Sequence, residues 1–318
     1  MPHHETRYFA YSLDLTEPVR VGESTMAKRG GFLVRMEREG HVGWGEAAPL
    51  DGYGQDTRED VLQAIADGSS TPTLSFAHDC ASRNLLASQR GVTLADSLGE
   101  CRRNCLQNTR LASADESASR IVKRKVGNAE PEEDARAVNE FLNANPDTIL
   151  RLDANGRWDK ASALEFTDLV STWHSQIEFI EEPWERCFET DNRQEYPLRM
   201  AIDESMQECD WHMADVVILK PSLMGALEKT TDLASRVQDS GRDVLFSSAF
   251  ESFVGMGALI ALASRFEGGA VGFGTYRYIR RDVGPRVAAF DRDIICLSDF
   301  TEREITPELS ALRELAVK

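Results

Sequence analysis

This chain of 318 residues lacks any apolar run long enough to span a bilayer. Its N-terminal stretch, MPHHETRYFAYSLDL, lacks a basic segment followed by a hydrophobic one. Both absences point away from a membrane span or a secretory leader, and the expectation is a cytoplasmic protein. Positive charge is in deficit: 36 Lys and Arg stand against 53 Asp and Glu, a formal net charge of -17. Nucleic acid and anionic membrane surfaces demand clustered Lys and Arg, so neither is expected as a partner. Cysteine is sparse and follows no framework spacing. The six, Cys80, Cys101, Cys105, Cys187, Cys209 and Cys296, are expected to be reduced thiols, because a chain of this size needs no covalent staples. Cys101 and Cys105 have the spacing of one helix face, but no His or second Cys pair lies near them in sequence to complete a zinc site.

What is present divides into two patterns. From Tyr8 to Ala47 the chain reads as antiparallel strands, YFAYSLDL, GFLVRME and GHVGWGEAA, and the polar segment Val21 to Gly31 between the first two reads as a loop, a candidate lid. Thr57 and Asp60 form a capping-box pattern before REDVLQAIAD, which Gly68 closes, and a second helix is expected from about Ser75 to Gln89. From Asn108 short apolar strands alternate with amphipathic helices, the pattern of βαβ units in series and so of a parallel sheet or closed barrel. The helix between Ala201 and Asp215 is weak or missing. The fold class is therefore α/β: a modified (β/α) TIM-type barrel over residues 101–293, with an α+β N-terminal capping domain over residues 1–100 that the tail 294–318 completes.

Six polar residues end or closely follow five successive strands of the second pattern: Lys123 and Lys125 on one, then Asp153, Glu181, Asp203 and Lys220. Strand C-termini are where a barrel collects its functional groups. Asp153, Glu181 and Asp203 facing one mouth would repel unless a cation neutralised them, and without His or Cys in the set a hard divalent ion, Mg²⁺ first, fits better than zinc. Singly, each has a plainer role: Asp153 as a turn residue before Ala-Asn-Gly, Glu181 as a solvated charge before Pro183, Asp203 as a cap with Ser205. The matched placement of all three sets them apart. Lys123 and Lys125 share one face of a strand, either as interior ammonium groups that lower each other's proton affinity or as basic gatekeepers of an edge. Lys220 closes the apolar run VVIL and needs an anion or a task. A metal with lysines suits proton removal beside a carboxylate.

Together these residues resemble the enolase superfamily, its muconate-lactonising subgroup, and within it the o-succinylbenzoate synthase family most. The resemblance rests on K-x-K (Lys123, Lys125), LDANG-W (Asp153 to Trp158), EEP (Glu181 to Pro183), DES (Asp203 to Ser205), KP (Lys220, Pro221) and SSAFES (Ser247 to Ser252). It extends to GWGEAAPL near the N-terminus and GFGTYRY near the end of the barrel. It implies Asp153, Glu181 and Asp203 as ligands of Mg²⁺, with Mn²⁺ as the substitute. It further implies Lys125 as acid/base, Lys123 as electrostatic support, Lys220 across the substrate plane, and Asn155 and Glu204 as groups that orient the others. Ser247 and Ser248 would bind a succinyl carboxylate. The implied substrate is a small-molecule carboxylate and the implied reaction a dehydration giving o-succinylbenzoate, a step of menaquinone synthesis. The alternative in the same subgroup is an N-acylamino-acid racemase or dipeptide epimerase. The sequence sets no oligomeric state.

Overall fold

The computed structural model describes residues 4–22, 24–111, 120–189, 196–207, 209–300 and 306–316. Strands β1 (Glu5–Val21), β2 (Ser24–Arg38) and β3 (His41–Ala47) form an antiparallel sheet. Helices α1 (Arg58–Asp67), α2 (Pro72–Arg90) and α3 (Leu94–Leu98) follow. The Thr57 hydroxyl accepts from the Asp60 amide while the Asp60 carboxylate accepts from the Thr57 amide, the reciprocal box expected from sequence, and Gly68 ends α1 in the left-handed region at φ 76°. Helix α2 lies directly on β3 because Gly45 has no side chain: a Cβ there would stand 1.9 Å from the Ala77 carbonyl oxygen.

The segment Val21 to Gly31, expected as a loop, is mostly strand. β1 and β2 pair along a long hairpin, with Leu13 opposite Arg29 and Val19 opposite Met26, and an irregularity between Asp14 and Val19. Antiparallel pairing satisfies the backbone of this polar stretch, so it needs no apolar alternation to be extended.

The second unit contains β4 (Cys105–Gln107), β5 (Arg110–Leu111), β6 (Ile121–Lys125), α4 (Pro131–Ala144), β7 (Ile149–Asp153), α5 (Lys160–Leu169), β8 (Ile177–Glu181), β9 (Met200–Ile202), β10 (Val216–Leu219), α6 (Pro221–Met224), α7 (Leu227–Asp239), β11 (Asp243–Phe246) and α8 (Phe253–Ala263). Strands β5 to β11 form one parallel sheet in sequence order. Its two edges meet through Val271 and Gly272. The Val271 amide donates to Gln107 and its carbonyl accepts from Thr109, both at 2.8 Å, while the Gly272 amide donates to Phe246 at 2.8 Å. With parallel bridges Asn108–Val271 and Ser247–Gly272, this segment fills the eighth place of a closed ring. Between β9 and β10 the described residues hold only 3₁₀ turns, at Glu204–Gln207 and Trp211–Met213, as the weak pattern there foretold.

Side-chain alternation builds the barrel in layers. Phe179, Ala201, Val216, Ile218 and Leu245 form a separate buried cluster. Two positions beyond Phe179, Ala201, Ile218 and Leu245 come Glu181, Asp203, Lys220 and Ser247, so period two lifts the polar set one layer above an apolar floor.

The tail touches both units: β12 (Ile294–Cys296) pairs with β4, and β13 (Arg313–Glu314) pairs with β1. We propose the domain division near residue 100 and after residue 293. The expected set of six thiols is corrected here. Cys105 lies in β4, not on a helix, directly opposite Cys296, and the two form a disulfide across 191 positions of sequence, a distance at which spacing carries no signal. Cys80, Cys101, Cys187 and Cys209 take no part in a disulfide.

Candidate active site

In the eight-membered ring, β6 and β10 are four places apart, so Lys125 and Lys220 face each other across the mouth. Asp153, Glu181 and Asp203 follow on β7, β8 and just beyond β9, filling the arc between the lysines. Register places Lys125, Asp153 and Glu181 level with one another. The opposite arc carries Ser247, Ser248 and the Gly272–Thr275 segment. All of these line one cavity of about 870 Å³, a size suited to a small molecule, with Val19 to Gly22 of the β1–β2 hairpin, Tyr53, Arg157, Phe250 and Tyr278 around its rim.

The three carboxylates are buried, and each is met by a lysine. Lys123 Nζ stands 2.5 Å from Glu181 Oε2 and 2.9 Å from Asp153 Oδ2. Lys220 Nζ clasps both oxygens of Asp203 at 2.6 Å. Lys125 is the open one, its side chain 60% exposed against 23% for Lys123 and 15% for Lys220. Its ammonium donates to Asn155 Oδ1 at 2.7 Å, and Asn155 Nδ2 donates to Glu204 Oε1 at 3.0 Å. The expectation that Lys123 and Lys125 depress each other's proton affinity is not met at Lys123. Burial works against its charge, yet Asp153, Glu181 and Asp203 outweigh it and hold the ammonium well above its ordinary value.

Burial shifts two of the acidic groups upward, while the lysines hold Asp153 below its ordinary value against its burial. Burial, reinforced by Asp153 and Asp203 and opposed by Lys123, pushes Glu181 up to about 8. Burial and the same neighbour Asp203 push Glu204 up to about 7. Asp153 Oδ1 is buried and has no hydrogen-bond partner. Among the described residues no three carboxylate, His or Cys groups already stand drawn together as a ligand cluster, because Lys123 lies between Asp153 and Glu181 and Lys220 holds Asp203. An all-oxygen donor set with an orphaned buried oxygen fits a hard divalent cation, whose arrival would displace ammonium contacts rather than require new side chains.

Several participants escaped sequence reasoning. Tyr53, from the turn after β3, donates to Asp203 Oδ1 at 2.8 Å, also touches the Lys220 ammonium, and lies with its ring centroid 4.0 Å beneath that ammonium. Glu182 Oε1 accepts from the Asp203 amide at 3.0 Å and from the Ser205 amide and hydroxyl at 2.9 and 2.8 Å, so the second Glu of EEP shapes the DES turn. Ser248 is buried with its hydroxyl 2.6 Å from Thr275 Oγ1, whereas Ser247 is partly exposed and donates to the Gly272 carbonyl at 3.2 Å. The sequence signal for Glu182 was its place beside Glu181 and for Thr275 its place in GFGTYRY, neither of which gave a role; Tyr53 reaches the site from a distant turn whose contacts no local pattern encodes.

Comparison with known proteins places these features among relatives. Residues 3–85 match the MenC N-terminal domain family and residues 108–271 the enolase C-terminal domain-like family. The o-succinylbenzoate synthase of Citrobacter koseri is 30% identical over 280 residues, and that of Edwardsiella ictaluri 29% over 285, each match covering 80% of this chain and 85% of the relative. Among solved structures, the N-succinyl Arg/Lys racemase of Bacillus cereus superposes with a TM-score of 0.77 at 19% identity over 92% of both chains. The muconate lactonizing enzyme of Pseudomonas fluorescens does so with 0.72 at 19% identity, over 87% of this chain and 89% of that one.

Proposed function

The chain belongs to the enolase superfamily, and on that premise we propose that this divalent-metal enzyme is an o-succinylbenzoate synthase, a hydro-lyase that removes water from 2-succinyl-6-hydroxy-2,4-cyclohexadiene-1-carboxylate. The observation that carries the reading is the division of the mouth into arcs: a carboxylate arc flanked by opposed lysines, facing a serine and threonine arc. A substrate with one carboxylate on its ring and another on a side chain spans that mouth.

Asp153, Glu181 and Asp203 would hold Mg²⁺, which when bound would supply positive charge beside the ring carboxylate. The protein's own groups do the rest. Lys125, the most open of the three lysines, takes the α-proton, and the ammonium so formed returns it to the departing hydroxyl, which leaves as water. The C–H and C–OH bonds break, the ring gains a double bond, and aromatisation favours the products. Lys123 keeps its proton and adds fixed positive charge beside the carboxylate arc. Lys220, directly across the ring, meets the other face of the flattened intermediate. Asn155 fixes the Lys125 side chain and ties it to Glu204. Ser247 and Ser248, with Thr275, face the side-chain carboxylate.

Opposed lysines are also the geometry of a racemase or epimerase, in which each serves as base on one face, and the superposed N-succinyl amino-acid racemase makes that the second reading. Two assays separate them. Mass spectrometry of the product from the cyclohexadiene substrate should show o-succinylbenzoate. Incubation of N-succinyl amino acids in D₂O should show α-deuterium incorporation at a far lower kcat/KM. The reverse ranking would replace the synthase by the racemase.

A further inference from the structure

Arg29 of β2 is 2% exposed, yet its hydrogen bonds go to main-chain carbonyls rather than to a carboxylate. Its Nη2 and Nη1 donate through short contacts to the carbonyls of Ala48 and Pro49, at the exit of β3. Nη2 also donates to the Ala249 carbonyl at 3.2 Å, Nε to the Phe250 carbonyl at 3.3 Å, and Nη1 to that of Gly30 at 3.2 Å. A buried guanidinium is costly unless its donors are met, so five carbonyls converging on one side chain mark a built feature.

Each carbonyl pair opens onto the active site. Ala48 and Pro49 lead into the Leu50–Gly54 turn, closed by amides of Tyr53 and Gly54 on the Leu50 carbonyl, and that turn places Tyr53 against Asp203 and Lys220. Ala249 and Phe250 end the loop that starts at Ser247 and Ser248. Phe250 is held at φ 64°, a left-handed conformation that a bulky residue adopts only under constraint, and its amide donates to Thr275 Oγ1 at 3.2 Å. The apolar packing shared by the two loops is small, with Val21, Leu50, Leu223 and Ala249 as its buried members.

We propose that Arg29 is a positioning residue that latches the Tyr53 turn of the N-terminal unit to the Ser247–Phe250 loop of the barrel, so that the wall over Lys220 and the serine arc are set as one piece. Its planar fork reaches carbonyls on both loops at once; a lysine at this position, a single rotatable ammonium, cannot. Arg29 itself touches no reacting atom.

Hydrogen exchange compares the folded full chain with Arg29→Lys. Residues 48–54 and 247–250 should lose protection together while β6, β7 and β8 keep theirs. Loss confined to one loop, no loss, or a rise throughout the protein overturns the latch. The kinetic consequence rests on the synthase reading. Arg29→Lys should lower kcat for the cyclohexadiene by about tenfold or more with Mg²⁺ affinity within about twofold of wild type. Paired with Tyr53→Phe, the two losses should fall well short of multiplying. Independent, multiplicative losses overturn the route through Tyr53. If the parent enzyme does not turn over the cyclohexadiene, the synthase reading fails while the exchange result still decides the latch.

Discussion

Lys125 and Lys123 are two residues apart on one strand and differ in what they can do. Lys123 is wedged between Asp153 and Glu181 and keeps its proton; Lys125 reaches the open mouth and, among the described residues, leans on Asn155 and, at 3.7 Å, on Asp153. We therefore propose that Lys125 alone transfers the proton. Lys125→Ala should cut turnover by about 10²–10⁴-fold or more while leaving Mg²⁺ affinity near wild type, as measured by steady-state kinetics and calorimetric titration. Retained turnover would move the base elsewhere. That Asp153, Glu181, Asp203 and the lysines gather at one mouth was legible in the sequence because period two on a strand, repeated at several strand ends, constrains where side chains point. Arg29, Tyr53 and Glu182 were not. Their roles depend on which distant carbonyl, lysine or amide they meet, and no local pattern encodes that.

At the scale of elements, helix boundaries were read well where capping chemistry is local, as at Thr57 and Gly68. The hairpin of β1 and β2 was misread because its extended state comes from pairing rather than from apolar alternation. The contact of α2 with β3 gives a sharp test. Gly45→Ala forces a methyl group against the Ala77 carbonyl and should destabilise the protein by about 1–3 kcal/mol or more in chemical denaturation. A change within about 0.5 kcal/mol would mean that α2 moves aside freely. The start of α8 gives a pH test. Asp282 accepts from the Phe253 amide, the Tyr276 hydroxyl and the Val283 amide, and burial, opposed by those bonds, pushes it up to about 7. A carboxyl raised on folding stays protonated when the unfolded chain has already ionised, so its contribution falls as pH rises from about 4 to about 7. The unfolding midpoint of Asp282→Asn, relative to wild type, should thus shift in the variant's favour between pH 5 and pH 8. A pH-independent difference would contradict the raised value.

For the whole molecule, alternating strands and helices implied the barrel, and ring closure through Val271 and Gly272 falls inside AVGFG, the last apolar segment of that alternation. The crosslink between Cys105 and Cys296 was hidden for the reason given by its span. Denatured without reductant, the protein should expose four reactive thiols, and with reductant six. Reduction should lower its stability by about 2–4 kcal/mol. Six thiols in both conditions would remove the link between the tail and β4.

Central to all three scales is our proposal that Asp153, Glu181 and Asp203 hold a divalent metal while Lys125, with Lys220 opposite, dehydrates a cyclohexadiene carboxylate. The most direct test follows the diene absorbance of 2-succinyl-6-hydroxy-2,4-cyclohexadiene-1-carboxylate with purified protein and Mg²⁺, before and after a chelator. Absorbance should fall, stop falling with chelator and resume its fall with excess Mg²⁺. A diene left untouched by metal-loaded protein, or consumed at the same rate under chelator, would contradict it.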